Sequence, residues 1–234
     1  MSDIHAQYDS FRKMERKIRF DRSNDKLIII GDVLDRGRGS EGIDLLRYIK
    51  AGMEEGCMEL IAGNHVVFAM WYLQGILEGH TWEAYGGGDT YETVLGMDES
   101  EKTELLSFLE ELPFYRETDS PFYGKTILTH TGFDCERYVY RADGKIDVAK
   151  SIERAVKENL RFIVGSDIHD IPVSDKKLLD RYIIVGHIPV FRLAGPGECH
   201  IYRTGYYMDI DTGACFKGGR LSCYCVDTDE EFYV

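Results

Sequence analysis

The stretch Leu27-Ile28-Ile29-Ile30-Gly31-Asp32-Val33-Leu34-Asp35-Arg36-Gly37 decides how this chain is read. Its first four residues form an unbroken branched apolar run, which predicts a strand buried on both faces. Glycine ends the run, and two carboxylates and a guanidinium follow. Open α/β sheets place their sites at the carboxyl ends of strands. The pattern recurs along the chain. Leu60-Ile61-Ala62 leads into Gly63-Asn64-His65, Thr126-Ile127-Leu128 into Thr129-His130-Thr131-Gly132, and Ile183-Ile184-Val185 into Gly186-His187-Ile188-Pro189. Asp3-Ile4-His5 opens the chain. Five strand ends carrying oxygen or nitrogen donors predict one metal centre.

Around these strands the spacing predicts helices. Residues 10–20 carry Phe11, Met14 and Ile18 at helical intervals, and residues 40–53 carry Ile43, Leu46 and Ile49. Residues 66–78 are apolar on most sides and predict a buried helix. Gly86-Gly87-Gly88 reads as a loop or turn, and Asp98 with Glu101 reads as a capping box ahead of a helix ending near Leu112. A further helix is expected over 148–160. The last third alternates in short runs at 206–211, 220–227 and 232–234, with Gly213, Gly218 and Gly219 between the first two, which predicts hairpins. The β-α-β-α order gives an α/β class, with two packed sheets in one domain over residues 1–234.

Asp3, His5, Asp32, Asn64, His130 and His187 offer two carboxylates, one amide oxygen and three imidazoles. Hard oxygen with imidazole and no thiolate suits manganese, iron or zinc. Six donors exceed one four-coordinate ion and suit two ions sharing a carboxylate, ~3.5–4 Å apart. Arg36 supplies a planar fork for phosphate. His65 is placed to protonate a leaving alkoxide, and Asp35 to orient His65.

In this order the motifs resemble the phosphoprotein phosphatase family of calcineurin-like metallophosphoesterases. The likeness runs from residue 2 to about residue 220, and the spacing from Ser2 to Gly37 resembles the bacterial serine/threonine phosphatase branch. It implies a four-layer α/β (α+β) fold, a β-sandwich flanked by helices with a dinuclear metal site at the strand ends. It implies that Asp3, His5 and Asp32 hold the first metal, and Asp32, Asn64, His130 and His187 the second. Arg36, Asn64 and His65 would face the phosphate, with His65, Asp35 and Arg36 in the catalytic roles. The implied reaction is phosphomonoester hydrolysis by direct attack of a metal-bridging hydroxide, with phosphoserine or phosphothreonine in proteins as substrate. Symmetrical diadenosine tetraphosphate hydrolysis is the sibling reading. A non-catalytic metal- or phosphate-binding regulator is the reading of a different class.

The chain departs from the family pattern in places. Ala6 stands where Gly is usual, Val66 follows Gly63-Asn64-His65 in place of an acid, and Tyr85 stands where Asn is expected after Trp82. The expected second phosphate-binding Arg has only Arg161 as a nearby candidate. Two residues precede Asp3, fewer than the usual strand of about five. A first central strand lying upstream of Met1, and a rearranged first ligand pair here, are therefore expected. His80, His169 and His200 are read as surface or loop histidines, although Asp167-Ile168-His169-Asp170 repeats the opening Asp3-Ile4-His5 pattern. Asp209-Ile210-Asp211 is read as supporting His187.

Composition narrows the partners. Asp and Glu number 41 against 28 Lys and Arg, a net charge of −13, and no basic run stands out, which argues against nucleic acid. No run approaches the ~20 apolar residues of a membrane span. The six cysteines have no zinc-type spacing and predict reduced thiols in the cytoplasm.

Overall fold

In the computed structural model, which describes residues 1–165 and 168–234, the apolar runs become strands whose alternate residues face different cores. β1 (Leu27–Ile30) and β2 (Met58–Ile61) pair in parallel. Leu27, Ile29, Met58 and Leu60 point into one core, where α1 (Tyr8–Ile18), α2 (Gly39–Glu54) and α3 (Asn64–Leu73) pack. Ile30 and Ile61 point the other way, into a core shared with Leu128, Ile184 and Met208. Each such side chain taken out of water stabilises the fold by about 1.5–3 kcal/mol.

That middle core separates β1 and β2 from a five-stranded sheet. Its strands are β3 (Tyr115–Ser120), β4 (Gly124–Thr129), β5 (Tyr182–Val185), β6 (Tyr202–Arg203) and β7 (Tyr207–Asp209), in the order β3-β4-β5-β7-β6. Ile127, Ile183 and Val185 on its far face pack under a later helix, Val148–Glu158. Helix, sheet, sheet and helix thus stack in four layers, as the motifs implied. The strands carrying the motifs, β1, β2, β4 and β5, all run parallel to their motif-bearing neighbours. Their carboxyl ends therefore emerge on one side of the molecule.

After α3 come α4 (Gly79–Trp82), α5 (Gly88–Leu95) and α6 (Glu99–Glu110). The predicted capping box is present, with Asp98 accepting from the backbone N–H groups of Ser100 and Glu101. The glycine run differs from expectation. A short π-helical turn, Glu83–Gly87, joins α4 to α5, and only Gly86 leaves helical geometry, at φ +97°. The sequence reading also passed over β3. Its solvent-facing residues Arg116, Glu117 and Asp119 belong to an edge strand with little apolar signal. The last hairpins pair β6 with β7, and β8 (Ser222–Tyr224) with β9 (Glu231–Tyr233). The predicted pairing of the 206–211 run with the 220–227 run is thus replaced, because β7 is drawn in parallel beside β5.

The first residues lie alongside β1. Ser2 bridges Ile30 in parallel, and the backbone N–H of Ile30 donates to the Met1 carbonyl at 2.8 Å. The N–H groups of His5 and Ala6 donate to the carbonyls of Asp32 and Val33. Beside Met1 lies a cavity of 640 Å³ lined by Leu27, Ile28, Ile184, Cys223 and Tyr224 among others.

Candidate metal centre and active site

Three glycines let the motif side chains converge. A Cβ on Gly31 would collide with the His130 ring, one on Gly63 with Asp32 Oδ1, and one on Gly186 with Ser2 and the Asp3 carboxylate. The strand ends therefore carry glycine because a buried polar side chain from a neighbouring strand occupies the Cβ position. Asp3, His5, Asp32, Asn64, His65 and His130 are all buried.

Among the described residues, two groups have ligand atoms that all lie within 4.8 Å of one another: His5, Asp32 and His65, and Asp32, His130 and His187. Asp32 belongs to both. Its Oδ2 lies 3.9 Å from His5 Nε2, 3.9 Å from His65 Nε2 and 3.3 Å from His130 Nε2. Asn64 Oδ1 lies 2.9 Å from His130 Nε2 and 3.0 Å from His187 Nδ1. Asp3 is in neither group. Its Oδ2 accepts from Ser2 Oγ and from the His187 N–H, while its Oδ1 is buried with no hydrogen-bond partner. A buried carboxylate oxygen without a partner is costly. Lone pairs converging from Asp32, Asn64 and several imidazoles, with that orphan oxygen beside them, fit divalent cations.

The electrostatics follow from this crowding. Burial opposes charge on Asp32, but the His130 and His65 imidazoles outweigh it and hold the carboxyl well below its usual range. Burial likewise opposes protonation of His130, and the Asp32 and Asp3 carboxylates overcome it and push the imidazole up. Burial raises Asp3. His5 is lowered by burial to about 4, against the pull of Asp32, and His187 by burial and then by His130 to about 3.

These shifts set the acid behaviour of metal-free protein. An unfolded histidine protonates near pH 6.5, whereas His5 and His187 stay neutral in the fold until about pH 4 and pH 3. The unfolded state thus binds more protons between about pH 6.5 and 4, and stability falls as the pH drops through that window. His169, lowered by burial to about 4, adds to that fall, while Asp3, Asp211 and Glu15, each raised by burial, act in the opposite sense over part of the window. Thermal melting of chelator-treated protein is expected to show Tm falling from pH 6.5 to 4. A Tm that is flat or rises on acidification would contradict these burials.

The rim of the centre is built from the second half of the opening motif. His65 Nδ1 lies 2.6 Å from Asp35 Oδ2, and Arg36 Nη2 lies 3.4 Å from His65 Nε2. Asp35 and Arg36 adopt left-handed backbone, φ +68° and +58°, held by the Asp35 N–H on Thr90 Oγ1 and the Arg36 N–H on the Gly86 carbonyl. The Trp82 indole N–H donates to Asp35 Oδ2 at 2.8 Å. Trp82 and Thr90 were not singled out from sequence for these contacts. The sequence cue to Trp82 is its place at the head of the stretch Trp82–Gly87.

The departures find structural roles. Val66 is buried in the core that covers α3. Tyr85 stacks on Phe68, ring centroids 4.6 Å apart. Arg161 is exposed just after the helix Val148–Glu158. His169 corrects its reading as a surface histidine. It is largely buried, with Nε2 2.7 Å from Asp209 Oδ2 and Nδ1 2.9 Å from the Tyr207 hydroxyl. Of the segment that repeats the opening pattern, Asp167 lies outside the described residues. The backbone of Asp211, two residues on, accepts from the Val190 N–H and so pins the loop after His187.

The calcineurin-like phosphoesterase family matches residues 1–191. The chain belongs to this family. It is a hydrolytic enzyme of the metallophosphoesterase type, as the motifs implied. Serine/threonine-protein phosphatase 1 of Salmonella typhimurium is 26% identical over 226 residues, covering 95% of this chain and 88% of that protein. The asymmetrical bis(5'-nucleosyl)-tetraphosphatase of Bacillus subtilis is 27% identical over 245 residues, covering 95% and 87%. The symmetrical bis(5'-nucleosyl)-tetraphosphatase of Methylobacillus flagellatus is 27% identical over 169 residues, 72% of this chain and 51% of that protein, so the match spans about half of that relative. A solved serine/threonine phosphatase from Saccharomyces cerevisiae shares the fold, with TM-score 0.62 and 13% identity over 94% of this chain and 69% of its own. Among the described residues no helix is long and apolar enough to cross a membrane, and all six cysteines are free.

Proposed function

We propose that this chain is a single-domain, metal-dependent phosphoesterase that hydrolyses phosphomonoesters, with phosphoserine or phosphothreonine in proteins as the first substrate reading. The observation that carries it is the carboxylate of Asp32 standing in two ligand groups at once, with Arg36 and His65 at their rim. Two divalent cations held there supply a water nucleophile at neutral pH and neutralise phosphate charge. The proposed ligands are Asp3, His5 and Asp32 for one and Asp32, Asn64, His130 and His187 for the other. Manganese is the proposed metal, and iron or zinc suits the same donors. Arg36 would grip two phosphate oxygens, with Asn64 beside them. His65, oriented by Asp35, would give its proton to the leaving oxygen. Similarity to a protein phosphatase over 95% of the chain supports this substrate. A cytoplasmic site of action and no nucleic-acid or membrane partner complete the reading.

A second reading is hydrolysis of dinucleoside tetraphosphates, favoured by the exposure of Tyr85, the residue before the glycine that holds the Arg36 backbone, and by the names of two relatives. The reaction itself is tested by elemental analysis of purified protein, paired with aryl-phosphate turnover on the same sample. About two metals per chain with turnover is the expected result. Two metals with no turnover on any phosphoester would sink the enzymatic reading and favour a binding regulator.

A further inference from the structure

Arg36 has an aromatic ring at its guanidinium and an aromatic residue next in the chain to the glycine that holds its backbone. Its guanidinium carbon lies 5.8 Å from the centre of the Phe216 ring, which is itself packed edge-on against Phe191. Its stem passes Gly86: a Cβ there would sit 3.4 Å from Arg36 Cγ, and the Gly86 carbonyl accepts the Arg36 N–H. Tyr85 is the residue before Gly86. One face of its ring lies against Phe68 at 4.6 Å and 16° between planes, and the residue remains 47% exposed. Phe68 in turn meets the His65 ring edge-on at 5.5 Å. An unbroken run of rings therefore leads from His65 outward to Tyr85.

This arrangement is unlike the other exposed apolar side chains. Exposing a large aromatic ring has a solvation cost, and here the ring is also held flat, so its ordering is already complete. The Arg36 cation is engaged by Phe216, so the free face of Tyr85 is left for something else. Aromatic faces of this kind accept planar rings by stacking, whatever the ring's hydrogen-bonding edge.

We propose that Tyr85 is a specificity-determining residue, whose free face stacks on a nucleobase carried by the phosphoester that Arg36 receives. The inference rests on the phosphate-binding role proposed for Arg36. Placement favours a base over a directly attached aryl group. Tyr85 directly precedes Gly86, which lies beside the Arg36 stem at Cγ, whereas the phosphate belongs at the guanidinium tip. A ring set back from its phosphate by a spacer, as a base is by ribose, spans that offset. A phenyl group bonded to the phosphate oxygen does not. Of the two substrate readings, this ring would favour the second, nucleotides, and a phosphorylated aliphatic side chain gains nothing from it.

The test uses the intact chain and two readouts. Dissociation constants of adenosine 5′-monophosphate, phenyl phosphate and inorganic phosphate are measured by calorimetry for wild type, Tyr85→Ala and Tyr85→Phe. Values of kcat/KM are measured for diadenosine tetraphosphate, phenyl phosphate and glycerol phosphate. Stacking worth about tenfold is expected for the two adenine compounds, lost in Tyr85→Ala and kept in Tyr85→Phe. Phosphate and glycerol phosphate are expected to be unchanged. Equal losses on all ligands would reveal a merely structural role and overturn the proposal, as would no loss on any. A Tyr85-dependent gain that phenyl phosphate shares equally with the adenine compounds would also overturn the nucleobase assignment. Adenine-selective binding without turnover would leave this inference standing and sink the reaction. Turnover without adenine preference would do the reverse.

Discussion

Asp32→Asn is expected to abolish binding of both metals and to lower kcat/KM on aryl phosphate by at least about a thousandfold, some 4 kcal/mol of transition-state stabilisation. The substitution is nearly isosteric. An amide oxygen can still accept the His65 N–H that Asp32 Oδ1 accepts at 3.0 Å, so the turn after β2 keeps its tie. What is lost is the anionic oxygen faced by the Nε2 atoms of His5, His65 and His130. No other carboxylate among the described residues belongs to both ligand groups. An amide in its place would leave two positive ions sharing a neutral donor. Elemental analysis and steady-state rates on the same sample check the result, with circular dichroism confirming the fold. Retained metal and turnover within tenfold of wild type would remove the shared-carboxylate arrangement from consideration.

Much of this centre was legible in the sequence because its logic is local. An apolar run such as Leu27–Ile30 forms a strand, and a glycine followed by Asp or His can only present that side chain at the strand's end. The parallel pairing of β1 with β2 and of β4 with β5 then brings the ends together. Harder to read were features that depend on what a distant residue faces. The hydrogen bond from Trp82 to Asp35 spans 47 positions and leaves no periodic signature. His169 looked like a loop histidine because its partners, Tyr207 and Asp209, come from a strand 38 and 40 positions later. β3 was missed because an edge strand has one face in water and its pattern is mostly polar. The order of strands in the last third was misread for a related reason. Turn glycines announce that the chain reverses, but they do not say which neighbour a three-residue strand will choose, and β7 gains more by lying beside the buried β5. The first ligand pair, for which a rearrangement is expected, has its own geometry. His65, not Asp3, completes the close group with His5 and Asp32, while Asp3 turns toward Ser2 and the His187 N–H.

That substitution within the group gives His65 two possible tasks, and His65→Gln separates them. As an acid it needs a proton on Nε2 and a carboxylate behind Nδ1. As a ligand it needs only the Nε2 lone pair. Asp35 Oδ2 lies 2.6 Å from Nδ1, fully buried, and takes a second hydrogen bond from Trp82. A carboxylate so placed orients the ring through Nδ1, an arrangement that serves an acid and a ligand alike. What separates the tasks is position: Nε2 lies nearer Arg36 Nη2, at 3.4 Å, than Asp32 Oδ2, at 3.9 Å, which sets it on the side of the cluster where a phosphate would sit. The expected outcome is therefore retained metal, with kcat/KM on an alkyl phosphate lowered by about 10²–10⁴-fold. Turnover of p-nitrophenyl phosphate is expected to fall only several-fold, because its leaving oxygen departs without needing a proton. The contrast between the two substrates is the decisive quantity. A variant that loses one metal and loses both activities in equal measure would make His65 a ligand. The proton for the leaving group would then have to come from elsewhere in the site.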